Sequence, residues 1–403
     1  MTSKQRSHVT DLRGASRLAM DATTGLTDLV EALHMRIARR PVGLGGPVVA
    51  GAANGITGLV FKSIRGVARV VGGGIDAVLA QLGPLLGEME SSRGREALVA
   101  ALNGVLGDYL AATGNPLAIA MHLQRDGRAL ELTREGLAAA IPSPSTKVIV
   151  LVHGLCMNDR QWKRGGQDYG ASLERDLQFT PVYLHYNTGL HVSTNGREFD
   201  ALLEALVAAW PVPLEDLVIV AHSMGGLVAR SALHSGTVAK HGWPRRLRKL
   251  VMLGTPHHGA PLERGGHWID LLLDATPYTA PFARLGKIRS AGITDLRHGS
   301  LLEEDWKGHD RFAHRQAPRP VPLPEGVRCY AVAATMGKSE GDLGDRLLGD
   351  GLVPLASALA RHDDPRLALA FPAAHQRIVY DAGHLDLLTH PAVYEQMRTW
   401  LAS

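Results

Sequence analysis

The chain has 403 residues, and its 43 Lys and Arg are interspersed among 39 Asp and Glu to leave a net charge of +4. That length suits one large domain with an appendage, and mixed charge gives no basic stripe of the kind that holds nucleic acid. Two cysteines, Cys156 and Cys329, are too few for a disulfide framework and lack metal-ligand spacing, so no metal and no cofactor is expected.

The first residues have no apolar core behind their charges; no secretory signal is expected, and a reducing cytoplasm is the default. Residues 1–114 read as a helical N-terminal extension. Leu26, Leu29, Val30, Leu33 and Ile37 fall at helical spacing before Pro41. From Val42 to Phe61 there is no charge, but Pro47, Asn54 and several glycines make the stretch a poor membrane span. An apolar stripe then runs from Ile56 to Leu79 with Lys62, Arg65 and Arg69 interspersed. Such a face either packs on its own domain or lies in a lipid interface, which would hold the protein peripherally at the inner membrane. Residues 96–112 predict another amphipathic helix, closed by Gly114 and Pro116.

From residue 115 onward the pattern changes. Asp126-Gly127 between short apolar runs predicts a hairpin. Strands are expected over 147–152, 181–184, from about 216, over 250–253, 327–334 and 377–380, with a helix over about 195–210. Alternating strands and helices imply an α/β fold: a mostly parallel sheet with helices on both faces and its chemistry at the carboxyl ends of the strands.

The strand expected from 216 runs straight into Ala221-His222-Ser223-Met224-Gly225-Gly226. A strand turning sharply into a helix puts one hydroxyl at the apex, and the crowded turn needs small flanking residues. Ser223 is therefore the candidate nucleophile. A hydroxyl needs a base within hydrogen-bond reach and an acid to orient that base. His384, in Ala382-Gly383-His384 just after the last expected strand, is the candidate base. Asp350, between Gly349 and Gly351, is the candidate acid, with Asp342, Asp345, Asp381 and Asp386 as rivals. Oxyanion donors are expected from the backbone N–H of Met224 and, in the loop after 147–152 where Gly154 permits close approach, of Leu155. His222 points away from its neighbour Ser223 and is assigned to packing; with His153, His257 and His258 it completes the histidines expected around the substrate pocket. Cys156 lacks a base of its own and is set aside as a nucleophile.

These residues make the chain resemble the α/β-hydrolase lipases and esterases, above all bacterial triacylglycerol-lipase-like enzymes and the GPI-inositol-deacylase-like group. The carrying segments are Leu151-Val152-His153-Gly154, Ala221 to Gly226, Leu253-Gly254-Thr255-Pro256-His257-His258-Gly259, Asp350-Gly351-Leu352-Val353-Pro354 and Gly383-His384. The resemblance covers residues 115–403 and implies an α/β-hydrolase fold with Ser223 as nucleophile, Asp350 as orienting acid and His384 as general base. Ala221 departs from the first glycine of the G-x-S-x-G pattern by one methyl group.

The seventy or so residues from Gly254 to Gly326 are expected to form a cap or lid, mobile or simply packed. Trp268 to Leu273 within them would offer an apolar face to an acyl chain. The expected activity is hydrolysis of lipid-like or other hydrophobic esters through an acyl-enzyme. Acyl transfer, or thioester or amide hydrolysis on the same triad, and a non-catalytic membrane-associated scaffold are the alternatives.

Overall fold

The computed structural model describes residues 92–260, 290–309, 318–339 and 349–403. The helices expected before residue 91, the Ile56–Leu79 stripe, the Trp268–Leu273 turn and the rival carboxylates Asp342 and Asp345 lie outside them. Among the described residues no helix is long and apolar enough to cross a membrane.

The first element is helix α1 (Ser92–Ala112). Strands β1 (His122–Arg125) and β2 (Arg128–Ala129) form the expected hairpin, with Asp126 (φ 51°) and Gly127 (φ 72°) supplying the two left-handed residues of its turn. Helix α2 (Arg134–Ala140) leads to β3 (Lys147–Val152), and a two-residue ribbon of β4 (Lys163–Arg164) and β5 (Gln167–Asp168) precedes α3 (Tyr169–Leu177). Then follow β6 (Thr180–His185), α4 (Val192–Ala209), β7 (Asp216–His222), α5 (Met224–Ala239) and β8 (Leu247–Leu253). Helix α6 (Ala291–His298), β9 (Arg328–Ala334), α7 (Leu355–Ala358), β10 (Gln376–Val379) and α8 (Pro391–Ala402) complete the order.

Eight strands make one sheet in the order β10-β9-β8-β7-β3-β6-β1-β2, parallel from β10 through β6 and antiparallel at β1 and β2. The central strands read as unbroken apolar runs because both faces are covered. In β3, Val148, Val150 and Val152 face one core while Ile149 and Leu151 face the other; β7 and β8 divide in the same way. One core takes in Phe199 and Leu203 of α4 with Leu227 and Val228 of α5, and the other takes in Leu173 of α3 with Val393 and Met397 of α8. Helices α3 and α8 were not anticipated from the sequence.

From β3 the chain crosses to β6 on one side, then returns past β3 to build β7, β8, β9 and β10 on the other. The winding therefore reverses at β3 and β7, and a crevice opens at the carboxyl ends of such strands. Val152 pairs with Ala221 there, so His153-Gly154 and His222-Ser223 emerge side by side.

Helix α1 lies against the loops that leave those strands. Asn187 Nδ2 donates to Gly107 O (2.9 Å), Ser290 Oγ to Gly104 O (2.7 Å), and Asp108 Oδ2 accepts from Ala291 N (3.0 Å). Close approach requires glycine at the contact: a Cβ on Gly189 would stand 2.2 Å from Asn103 O and 2.7 Å from Gly107 N. The described part of the 254–326 stretch is packed, with α6 largely buried and Ser231 Oγ donating to Leu301 O (2.7 Å). Gly189→Val is expected to lower unfolding free energy by about 1–3 kcal/mol through overpacking, read as a lower urea midpoint together with faster proteolytic cleavage within α1.

Candidate active site

Ser223 stands between the last residue of β7 and the first of α5 with φ 55° and ψ −126°. A non-glycine residue at positive φ is strained and persists only where its surroundings hold it. Ser223 N donates to Leu253 O at the end of β8 (2.8 Å), and Gly226 N donates to Ser223 O (3.0 Å). The flanks have no room to spare. A Cβ on Gly225 would meet His153 O at 2.6 Å and Val152 O at 2.7 Å, while Ala221 is fully buried in the core.

The loop after β3 comes up beside this turn. A Cβ on Gly154 would lie 3.0 Å from Ser223 Cβ and 3.2 Å from Met157 Sδ. Leu155 and Met224 are both buried. The Met224 N–H opens α5, where helix geometry provides no intrahelical acceptor. The loop is fixed from below: Thr188 Oγ1 accepts from Cys156 N (3.1 Å), and Tyr186 Oη donates to His153 O (2.8 Å). Neither Thr188 nor Tyr186 stands out in the sequence beyond its place just after a strand.

His384 and Asp350 meet at the far side of the crevice. Asp350 Oδ2 and His384 Nδ1 are 2.7 Å apart, with both side chains almost wholly buried. The other carboxylate oxygen accepts from Leu352 N (3.0 Å) and Val353 N (2.7 Å), and His384 N donates to Asp350 O (3.0 Å). Gly349 (φ 53°) and Gly351 (φ 90°) give the loop the left-handed turns this needs. A carboxylate only accepts, so the shared proton sits on Nδ1 and Nε2 keeps a lone pair. Nε2 has no hydrogen-bond partner among the described residues. The imidazole lies against Gly254, where a Cβ would be 3.1 Å from its Nδ1, and its ring centre is 4.7 Å from that of His222. Of the rivals for the acid, Asp386 accepts from Gly383 N (2.8 Å) and Asp381 is exposed.

The four remaining candidate histidines divide into two pairs. His222 is buried, with Nε2 3.2 Å from His384 O, and His153 is buried and stacked on Tyr186 with ring centres 4.5 Å apart. His257 and His258 instead line a cavity of about 470 Å³ bordered by Arg230, which none of Ser223, Asp350 and His384 lines. Cys156 keeps some surface exposure, but its Sγ packs 3.9 Å from Ala101 O and burial pushes the thiol up to about 12. Among the described residues no group of acidic, histidine and cysteine side chains is arranged to hold a metal ion.

Residues 143–319 match the family model described as PGAP1-like alpha/beta domain. The matched span includes Gly154, Leu155, Ser223 and Met224; Asp350 and His384 follow it. No curated protein matches the chain. Among solved structures the chain is similar to the lipase BlEst2 of Bacillus licheniformis in mature form, at 16% identity over 70% of this chain and 98% of that one, with a TM-score of 0.42. It is also similar to the RedJ thioesterase from the prodiginine biosynthetic pathway in Streptomyces coelicolor, at 16% identity over 65% and 91% of the two chains and a TM-score of 0.34. The phospholipase PlaB of Legionella pneumophila matches at 16% identity over 53% and 45%, with a TM-score of 0.34.

Two outcomes are expected from these environments. The raised Cys156 thiol should resist iodoacetamide at pH 8 in the folded protein and react at the ordinary rate only in denaturant, read by mass spectrometry. Burial pushes His153 down to about 3 and holds His222 and His257 well below the ordinary imidazole range, with His258 lowered in the same direction. Below about pH 6.5 the unfolded chain therefore takes up protons that the folded protein refuses, and stability falls as pH falls. Among the described residues His241, raised by its hydrogen bond to Asp200, and Glu96 and Glu198, raised by burial, work in the opposite direction. The urea midpoint should drop steadily from pH 6.5 to 5, above the range where carboxylates titrate. A flat midpoint over that interval would mean that these imidazoles are already protonated in the native state.

Proposed function

We propose that this chain, whose residues 143–319 match the PGAP1-like alpha/beta domain model, is an α/β-hydrolase-fold serine carboxylester hydrolase acting on hydrophobic esters. The observation that carries the reading is the buried 2.7 Å pair of Asp350 and His384, set beside the turn that forces Ser223 to the sheet edge. Buried hydrogen bonding of this kind holds an imidazole in one tautomer and orientation, which is what a base serving a serine requires.

In the proposed reaction Ser223 Oγ attacks the ester carbonyl carbon while His384 Nε2 takes the hydroxyl proton. The carbonyl π electrons move onto oxygen, and the N–H groups of Leu155 and Met224 receive that negative charge. Collapse of the tetrahedral intermediate breaks the bond to the alcohol oxygen, which leaves with the proton from His384. Water then attacks the acyl-enzyme with His384 again as base, and a second collapse frees the acid and restores Ser223. Asp350 keeps its charge throughout and steadies the imidazolium formed in each half. Buried Leu155 and Met157 beside Gly154, and Leu387 against Gly254, give the serine an apolar neighbourhood that favours an acyl chain over a charged group.

The test is a fluorophosphonate probe on intact protein, followed by hydrolysis of p-nitrophenyl esters of increasing chain length. A single adduct on Ser223 is expected, with Ser223→Ala lowering kcat roughly a millionfold and Asp350→Asn about ten-thousandfold. Folded Ser223→Ala protein that keeps its esterase activity would overturn the proposal.

A further inference from the structure

Arg230 lies seven residues beyond Ser223 on α5, about 10 Å along the helix axis. It is 6% exposed, yet among the described residues no carboxylate comes within 4 Å of it. Its Nη2 donates to Val321 O (2.6 Å) and its Nη1 lies 3.2 Å from His257 Nδ1. Burial pushes the guanidinium down to about 10, so it stays charged at neutral pH. A buried cation without a counter-charge is costly, and its Nε–H is left without an acceptor. His257 is 4% exposed and held neutral by burial. Because Nδ1 must accept from Arg230, the ring proton belongs on Nε2, a second buried donor without a partner.

Both groups line the cavity of about 470 Å³, a volume within the range of roughly 300–1,000 Å³ typical of small-molecule sites. Three further arginines, Arg297, Arg319 and Arg366, line it, and among the described residues no Asp or Glu does. The prolines at 318, 320 and 322 place no N–H there, while Leu301 and Leu369 add apolar wall. Asp364 holds Arg366 from outside at 2.7 Å. Arginines from α5, α6 and two separate loops give this lining an excess of positive charge, which suits an anion with several oxygens and more than one charge.

We propose that this cavity is a binding site for a phosphate group, carried by a small phosphate ester or a lipid headgroup, and that it is separate from the Ser223 crevice. The bound phosphate supplies the counter-charge of Arg230 and ties together the chain segments that line the cavity.

The experiment is isothermal titration and thermal unfolding of the full chain with inorganic phosphate, sn-glycerol 3-phosphate and acetate, each against chloride at equal ionic strength. Flotation with phosphatidylcholine vesicles, with and without phosphatidic acid, is run beside it. Both phosphates are expected to bind at one site and raise Tm by about 3 °C at saturation, with acetate inert. The exposed double variant Arg319→Gln/Arg366→Gln should weaken binding about tenfold or more, and Arg230→Gln, if folded by circular dichroism, should abolish it. Ser223→Ala should bind as the wild type does, which keeps this result independent of the esterase assignment. Glycerol 3-phosphate binding more tightly than inorganic phosphate points to a soluble ester; phosphatidic-acid flotation lost in the double variant points to a headgroup; either supports the site. No effect beyond chloride, or unchanged binding in the double variant, would overturn it.

Discussion

A serine backbone at φ 55° costs about 1–3 kcal/mol of strain, and much of the architecture around Ser223 follows from holding it there. The neighbouring strand supplies the acceptor for its N–H, and the first turn of α5 takes up its carbonyl. The strain also dictates what its neighbours can be. Gly225 cannot carry a side chain because two carbonyl oxygens of the β3 end lie where it would go, and Gly154 meets Ser223 itself. The tightness of the turn brings the β3 loop and the α5 N-terminus together, so the geometry that strains the serine also assembles the polar donors around it.

The opposite wall is built on a different principle. Asp350 and His384 share a backbone hydrogen bond as well as the side-chain pair, so the carboxylate and the imidazole are fixed directly to each other. His222 then joins the two walls: it precedes Ser223 in the chain and its ring reaches the carbonyl of His384. An imidazole kept neutral by burial suits this position, since a charged ring would compete with His384 for Asp350.

The sheet was legible because strands buried on both faces leave continuous β-branched runs, and β3, β7 and β9 fall within a residue or two of where those runs predict them. Ser223 stood out as a hydroxyl just after such a run and two residues before Gly225, His384 as an imidazole beside glycine after the last run, and Asp350 as a carboxylate between two glycines in the loop after β9, patterns that packing alone does not require. Helix α3 escaped because it is only nine residues long, too short for its apolar face to be told from a loop, and it is defined by the apolar side chains it covers. Arg230 escaped for a related reason. On a helix an arginine reads as solvent-facing, and only the strand and loop that close over it remove it from water. The glycines of α1 also escaped: Gly104 and Gly107 leave room for Cys156 and Asn187, partners that no pattern within the helix discloses.

The winding order has a consequence for synthesis. Strands β3, β7 and β8 and the serine turn they hold are complete by residue 253, whereas Asp350 and His384 arrive only later in the chain. A growing chain can therefore fold the serine-bearing half of the sheet while the hydroxyl has no base to activate it. On the proposed chemistry the nascent protein is inert by topology, without an inhibitory segment, until β10 docks on β9 and delivers the imidazole.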